Sequence, residues 1–432
     1  MNQFVIKPSP LKLPIEIVGC TNESINACIL LATLNYQAVL WCDETSLARV
    51  INEYQFDRQM ILLWEFYLLQ GKIVTKPLLD IDKLAIAQDI WLFVDDLSLS
   101  RLSQLTKLHF KPTSQIILSG VKAIGEISRL ATKINSAWVY YLPFIFMKDG
   151  ANFNTFFQCD LVLIGEKTAG SSTNHAVLQF FLEKCDKQHI TDIKTAEFAR
   201  SSIMGMLATR LSFMNEMARL ADSEGVYIKE IENILGLDKR IGKDYLQAGW
   251  GFGGKSLPSE LTWLVQKFEK NQVETTLLES VQSINEDQKE LIFRKFWRHF
   301  DGFIEHKTVV IWGAGYRSGT GRTTASAIHP LLKLLWSYHI KTWVYAHNTK
   351  DELLEYYSGH PLFELCDDAY APLQSAHALF IINWSLPMKP DVTALNRIAL
   401  PIFDAKNVLE KQQISQLIGD YIGIGYKKEG SI

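Results

Sequence analysis

The chain has 432 residues, 47% of them hydrophobic and 21% charged, enough for two or three domains with buried cores. A formal net charge of −3 gives no electrostatic reason to expect nucleic acid or an anionic membrane as a partner. No apolar run reaches the roughly 18 residues of a membrane span, and the start MNQFVIKPSPLKLP lacks the apolar stretch of a secretory signal, so a cytoplasmic protein is expected. The six cysteines, Cys20, Cys28, Cys42, Cys159, Cys185 and Cys366, form no CxxC pair and no zinc spacing; they read as single thiols of a reducing compartment, with no metal site.

Residues 15–19 (IEIVG) read as a short buried strand, 25–34 as a helix and 38–42 (AVLWC) as a second strand ending at Asp43. Strand, turn, helix, strand and acid outline a dinucleotide-binding unit. The turn keeps only the first glycine of the G-x-G-x-x-G fingerprint, Gly19. Thr21 stands where backbone must approach a diphosphate, and Glu23 adds a negative charge there. Asp43 is a candidate for a ribose hydroxyl, or else a strand-end or helix-capping residue. Further strands are expected at 90–94 (IWLFV) and 115–118 (QIIL).

From Thr195 to Ala221 an apolar stripe (Phe198, Ile203, Met206, Leu207, Leu211, Met214, Met217, Leu220) has the spacing of one long helix. Gly205 inside it would cost about 1 kcal/mol against alanine, which implies close packing. The stretch Arg240–Leu264 holds Gly249, Gly251, Gly253 and Gly254 within six residues and leads into a helix expected to start near Pro258. Such a turn can be a phosphate cradle or an active-site floor, its N–H groups presented to a ligand, or it can be a tight interhelical turn. The charged segment 285–307 reads as a helix and 309–313 (VVIWG) as a strand. Gly313-Ala314-Gly315-Tyr316-Arg317-Ser318-Gly319 then looks like a second dinucleotide loop, a weak signal alone. Strands at 342–346, 378–383 and 401–403 complete that region.

Gly249-Trp250-Gly251-Phe252-Gly253-Gly254-Lys255-Ser256-Leu257-Pro258-Ser259-Glu260 resembles the signature of the nucleotide-sugar dehydrogenases, the UDP-glucose and GDP-mannose dehydrogenase family. LATRLSFMNEMARLADSEG resembles that family's central helix, Asp404-Ala405-Lys406-Asn407 its Asp-x-Arg-Asn, and Tyr421-Ile422-Gly423-Ile424-Gly425 its closing segment. The resemblance also makes LVLIGEK at 161–167 the closing strand of the first domain. It implies two Rossmann-like α/β domains joined by a central helical domain with a long helix. The expected divisions are 1–188, a degenerate NAD-binding domain; 189–300, a helical dimerisation domain; and 301–432, a domain of UDP-sugar-binding type.

The family oxidises a sugar C6 alcohol twice with NAD⁺ through a cysteine thioester, and the positions that the resemblance assigns to this work are changed here. Ser256 stands for the nucleophilic cysteine and Glu260 for an aspartate. Arg200 and Met204 replace a lysine and an asparagine; arginine keeps its proton and methionine donates no hydrogen bond. Phe144 or Ile145 falls on the water-handling glutamate, within Leu142–Gly150. Gly125 is kept from a cofactor-touching segment that has lost its hydroxyls. The resemblance therefore implies weak or lost NAD binding, with Gly19, Asp43 and Gly125 as the remaining candidates. It implies a nucleotide-sugar site at Tyr245, Gly253, Gly254, Lys255, Arg317 and Lys406. Asn215 and Glu216 match a family pair and read as structural. The expected function is a catalytically inactive homologue, a pseudoenzyme that binds a UDP-sugar or a protein partner and forms a homodimer. The alternative is an active NAD-dependent UDP-sugar 6-dehydrogenase with altered residues, in polysaccharide biosynthesis.

Overall fold

The computed structural model describes residues 11–426 except 55–57, 96, 145–159, 385 and 387. The chain divides into two compact units, residues 1–201 and 202–432.

The first unit is built on an eight-stranded sheet. Its strands are β1 (Lys12–Val18), β2 (Tyr36–Trp41), β3 (Ile73–Lys76), β4 (Asp89–Phe93), β5 (Gln115–Ser119), β6 (Trp138–Tyr141), β7 (Val162–Glu166) and β8 (Gln188–Asp192). They lie in the order β3-β2-β1-β4-β5-β6-β7-β8, parallel except where β6 meets β7. Ile17, Leu40, Trp91, Ile117 and Val139 are fully buried, as expected when both faces of a parallel sheet are covered. Helices α1 (Asn22–Thr33), α2 (Glu44–Tyr54), α3 (Arg58–Leu69), α4 (Leu99–Lys107), α5 (Glu126–Lys133) and α6 (Ala176–Lys184) alternate with the strands.

The expected strands at 15–19, 38–42, 90–94 and 115–118 are present. Helix α1 starts three residues earlier than its apolar pattern suggested, because Thr21 forms a capping box with Ser24. β7 is not the last strand of this sheet: β8 pairs beside it in parallel. β8 reads QHITD and is largely exposed, so it carries no apolar signature. The reading of all six cysteines as single thiols is corrected: Cys185 is disulfide-bonded, whereas Cys20, Cys28, Cys42 and Cys366 are not in disulfides.

The long helix α7 runs from Ile193 to Glu224, longer at both ends than the stripe that revealed it. A Cβ on Gly205 would stand 3.0 Å from Leu264 Cδ1, which is the close packing the glycine implied. The second unit continues through α8 (Ile228–Leu237), α9 (Ser256–Lys270) and α10 (Thr276–His299). Helix α9 begins at Ser256, not Pro258; the proline falls in the first turn, where its missing N–H leaves no intrahelical bond unmade. Helix α10 starts before the expected 285 and stops before 307, because Asp301 and Gly302 take left-handed φ values of 47° and 81°.

A six-stranded, wholly parallel sheet follows: β9 (Thr308–Trp312), β10 (Lys341–Tyr345), β11 (Phe363–Leu365), β12 (Ala378–Ile381), β13 (Ile402–Asp404) and β14 (Tyr421–Gly423). The order is β11-β10-β9-β12-β13-β14, with helices α11 (Ile328–Ser337), α12 (Lys350–Tyr357), α13 (Val392–Asn396) and α14 (Lys411–Ser415). Among the described residues no helix is long and apolar enough to cross a membrane, and no cluster of three metal-ligating side chains occurs.

Candidate functional site

The glycine-rich loop is held by three carboxamides from two helices. Asn215 on α7 accepts the Gly249 N–H at 2.9 Å through Oδ1, and Gln288 on α10 donates to the Gly249 carbonyl at 2.7 Å. Asn285, one turn before Gln288, accepts the Phe252 N–H at 2.7 Å and donates to the Phe252 carbonyl at 3.2 Å. All three side chains are buried. Glu232 on α8 accepts the Ala248 N–H at 2.7 Å, and Gly254 N–H donates to Thr324 O at 2.8 Å. The expectation that this loop presents its donors to a ligand is therefore corrected in part: the N–H groups of Gly249, Phe252 and Gly254 are committed inside the protein.

The glycines follow from the same packing. At Gly251 (φ +89°) a Cβ would meet Asn285 Oδ1 at 2.8 Å. At Gly253 it would meet Ala325 O at 2.6 Å, and at Gly254 (φ +81°) the Tyr316 ring at 2.8 Å. At Gly249 it would stand 3.0 Å from Ala405 O and 3.5 Å from Lys406 Nζ. Four close approaches require four residues without side chains. Of the expected nucleotide-sugar residues, the structure thus brings Gly253 and Gly254 against Tyr316, the neighbour of Arg317, and brings Lys406 against Gly249. Arg317 is half-buried. Tyr245 is exposed and takes φ +59°, rare for an aromatic residue.

Lys406 follows β13. Burial pulls its pKa down to about 8, opposed by the negative charge of Glu232. Burial likewise raises the Glu232 carboxyl, with the Ala248 N–H, Lys229 and Lys406 acting against it. The flanking residues are structural. Asp404 is fully buried and accepts from Lys406 N–H, Leu409 N–H and Tyr421 Oη at 3.1, 3.1 and 3.0 Å. Asn407 clamps Ile424, donating to its carbonyl at 2.7 Å and accepting its N–H at 3.0 Å.

Lys255 and Ser256 are exposed at the start of α9. The Ser256 hydroxyl makes no hydrogen bond to any described residue, so no base among them is engaged with it. Glu260, one turn later, is buried. The second glycine pattern, beginning at Gly313, does not run directly into a helix: residues 313–327 separate β9 from α11. A diphosphate loop opens its helix at once.

In the first unit, Gly19 adopts φ +102°, and a Cβ there would meet Phe93 O at 2.6 Å. Thr21 accepts the Ser24 N–H at 3.1 Å and Ser24 accepts the Thr21 N–H at 2.9 Å, so donors at the start of α1 are taken by the chain itself. Asp43 is exposed and its carbonyl accepts the Leu47 N–H, placing it at the N-cap of α2. Gly125 is the left-handed N-cap of α5. Its N–H, with those of Ile127 and Ser128, donates to the buried Glu197 carboxylate at 3.2, 2.7 and 3.0 Å. Phe144 packs among Trp91, Phe93 and Phe181 with ring centroids 6.0–6.4 Å apart; Ile145 and the rest of that landmark to Gly150 lie outside the described residues. Arg200 is buried on α7, and Met204, one turn on, is half-buried.

Sequence reading missed Asn285, Gln288 and Glu232. A usable signal existed: Asn285 and Gln288 fall on one face of a helix, three residues apart, where buried amides need partners.

Two Rossmann-like sheets, with a long helix and a carboxamide-held glycine loop between them in sequence, define a two-domain α/β architecture. Residues 194–287 match the central domain of the UDP-glucose/GDP-mannose dehydrogenase family. UDP-glucose 6-dehydrogenase of Pseudomonas aeruginosa is 29% identical over 295 residues, covering 66% of this chain and 64% of that protein. UDP-glucose 6-dehydrogenase of Rickettsia conorii is 26% identical over 297 residues, covering 65% and 66%. The matched region thus spans just under two thirds of these relatives. The UDP-glucose dehydrogenase of the archaeon Pyrobaculum islandicum shares the fold with a TM-score of 0.82 at 17% identity, covering 98% of this chain and 100% of that one. The UDP-D-ManNAc dehydrogenase of Pyrococcus horikoshii does so with a TM-score of 0.77 at 16% identity, covering 95% and 99%. The chain is thus similar to the UDP-glucose/GDP-mannose dehydrogenase family in sequence over its central domain and to solved members of that family in fold.

Proposed function

We propose that this family member has lost the NAD-dependent oxidation of a sugar C6 alcohol and retains a nucleotide-sugar site on its second unit. The observation that carries this reading is the contrast at one loop: the backbone from Gly249 to Gly254 is fixed at both ends, while the side chain at the nucleophile position, Ser256, is a solvent-exposed hydroxyl with no base among the described residues in hydrogen-bond contact. A serine hydroxyl stays protonated near neutral pH and needs an adjacent base to attack a carbonyl. Phe144, within an aromatic cluster, cannot activate water, and Met204 cannot stabilise an oxyanion.

The residues at the start of α1 do not fit a dinucleotide diphosphate. Thr21 places a branched side chain where backbone should approach the phosphates and uses it to cap the helix that would receive them. A UDP-sugar is the better-supported ligand. Arg317, Lys255 and Lys406 supply positive charge and Tyr245 an exposed ring. All belong to the second unit. A charge-assisted hydrogen bond contributes about 1.5–3 kcal/mol, so two or three support a Kd of about 10–1000 μM.

The reading extends to assembly as a homodimer. Met206, Phe213 and Leu220 are exposed on α7 at seven-residue spacing, a seam suited to a second copy of the helix. A cytoplasmic location and a role beside polysaccharide synthesis accord with the same reading. Titrating UDP-glucose and UDP into the wild type and Arg317→Ala by calorimetry tests the ligand: saturable binding that weakens in the variant is expected. No saturable binding, or equal binding by both proteins, overturns it.

A further inference from the structure

Burial holds down the pKa of three lysines: Lys167, Lys295 and Lys406. Two of them have evident partners. Lys167 Nζ donates to Ile134 O and Ser136 O at 2.9 and 2.8 Å. Lys295 Nζ donates to Gly423 O and pairs with Asp222, each at 2.6 Å. Lys406 Nζ makes no hydrogen bond or ion pair with any described residue. Its amine lies among many protein atoms, while the residue as a whole is half-buried. It also sits where the loop has no side chains, 3.5 Å from the Cβ position of Gly249, with Glu232 holding the neighbouring Ala248 N–H.

We infer that Lys406 is a carbonyl-capturing amine, placed beside Gly249 to form a reversible imine with an aldehyde brought to the loop. The requirements are an unpartnered amine, an accessible approach and a partly neutral side chain. Arginine at this position could not do it, because a guanidinium keeps its proton. With a pKa of about 8, roughly a tenth of the amine is neutral near pH 7, a few hundred-fold more than for an ordinary lysine. Lower basicity reduces intrinsic nucleophilicity, which leaves a net advantage of about tenfold. In the reaction the neutral Nζ lone pair adds to the carbonyl carbon, and the carbonyl oxygen takes a proton to give a carbinolamine. Loss of water then gives the imine: amine plus aldehyde yields imine plus water, with no oxidant or reductant. The inference needs only residues 229–249 and 404–407, and stands whether or not a nucleotide-sugar binds.

The full chain is incubated near neutral pH with glycolaldehyde and limiting cyanoborohydride, which traps imines as stable secondary amines, and peptide mass spectrometry follows each lysine. Lys406 is expected to label about tenfold faster than Lys389 and Lys411, which are ion-paired with Glu410 and Glu230. In Lys406→Arg, labelling at this position should vanish and all other sites should keep their rates. Labelling of Lys406 no faster than Lys389 in the wild type, a result independent of any variant's folding, overturns the inference.

Discussion

Replacing Asn285 by alanine removes the clamp at the centre of the glycine loop, and its cost can be worked from the geometry. The wild-type carboxamide, 2% exposed, satisfies both polar groups of the Phe252 peptide at 2.7 and 3.2 Å. Alanine leaves a buried N–H and a buried carbonyl without partners. Each unmet group costs about 1–3 kcal/mol; the longer bond contributes less, so a total of about 3 kcal/mol is expected. For a unit the size of residues 202–432 that lowers Tm by roughly 6–12 °C. The same carboxamide stands 2.8 Å from where a Cβ on Gly251 would lie. Gly251→Ala should therefore be less costly in the Asn285→Ala background than in the wild type, with the left-handed strain of about 1–2 kcal/mol and the 3.1 Å approach to the backbone oxygen of residue 285 remaining. Urea unfolding of the two single variants and the double variant measures both effects. A loss below about 1 kcal/mol for Asn285→Ala, or additivity within about 0.5 kcal/mol, would refute the reasoning.

Burial pushes the His175 pKa down to about 4, and its ring caps α6 by accepting the Val177 N–H at 3.2 Å, which needs an unprotonated nitrogen. Between about pH 4 and pH 6.5 the unfolded chain binds more protons here than the folded one, so this contribution to stability is full above that window and is lost as the pH falls. On going from about pH 7 to pH 5 the wild type should lose about 2 kcal/mol more than His175→Asn, which keeps a capping side chain but cannot be protonated; equal losses in urea unfolding would count against it. NAD⁺ should bind more weakly than millimolar, and a thermal-shift titration that saturates at micromolar NAD⁺ would revive the dehydrogenase reading. Sedimentation should give a dimer at micromolar concentration and a monomer for Phe213→Glu, since the charge falls in the middle of the exposed α7 seam; a wild-type monomer contradicts this.

Much of the fold was legible because parallel strands buried on both faces are continuous apolar runs: IWLFV, QIIL and VVIWG each announced themselves. β8 did not, because an exposed edge strand reading QHITD has no reason to be apolar. The long helix was legible from its stripe, but its ends were not, since the stripe fades before the backbone stops. At the site, the glycine frame was visible, yet its physical cause was not. Asn215, Asn285 and Gln288 are far from the loop in sequence, and only folding brings three amides to the backbone of two residues. The capping role of Thr21 is local, by contrast, and a threonine three residues before Ser24 at a helix start could have been read directly.

The proposed loss of oxidation beside a retained glycine loop can be measured directly. The direct measurement is NADH absorbance with concentrated protein, excess NAD⁺ and a panel of UDP- and GDP-sugars. No NADH above the protein-free control is predicted, and none should appear after Ser256→Cys, because Phe144, Arg200 and Met204 remain unsuited to the chemistry. Sugar-dependent NADH formation by the wild type over repeated turnovers would contradict the central claim.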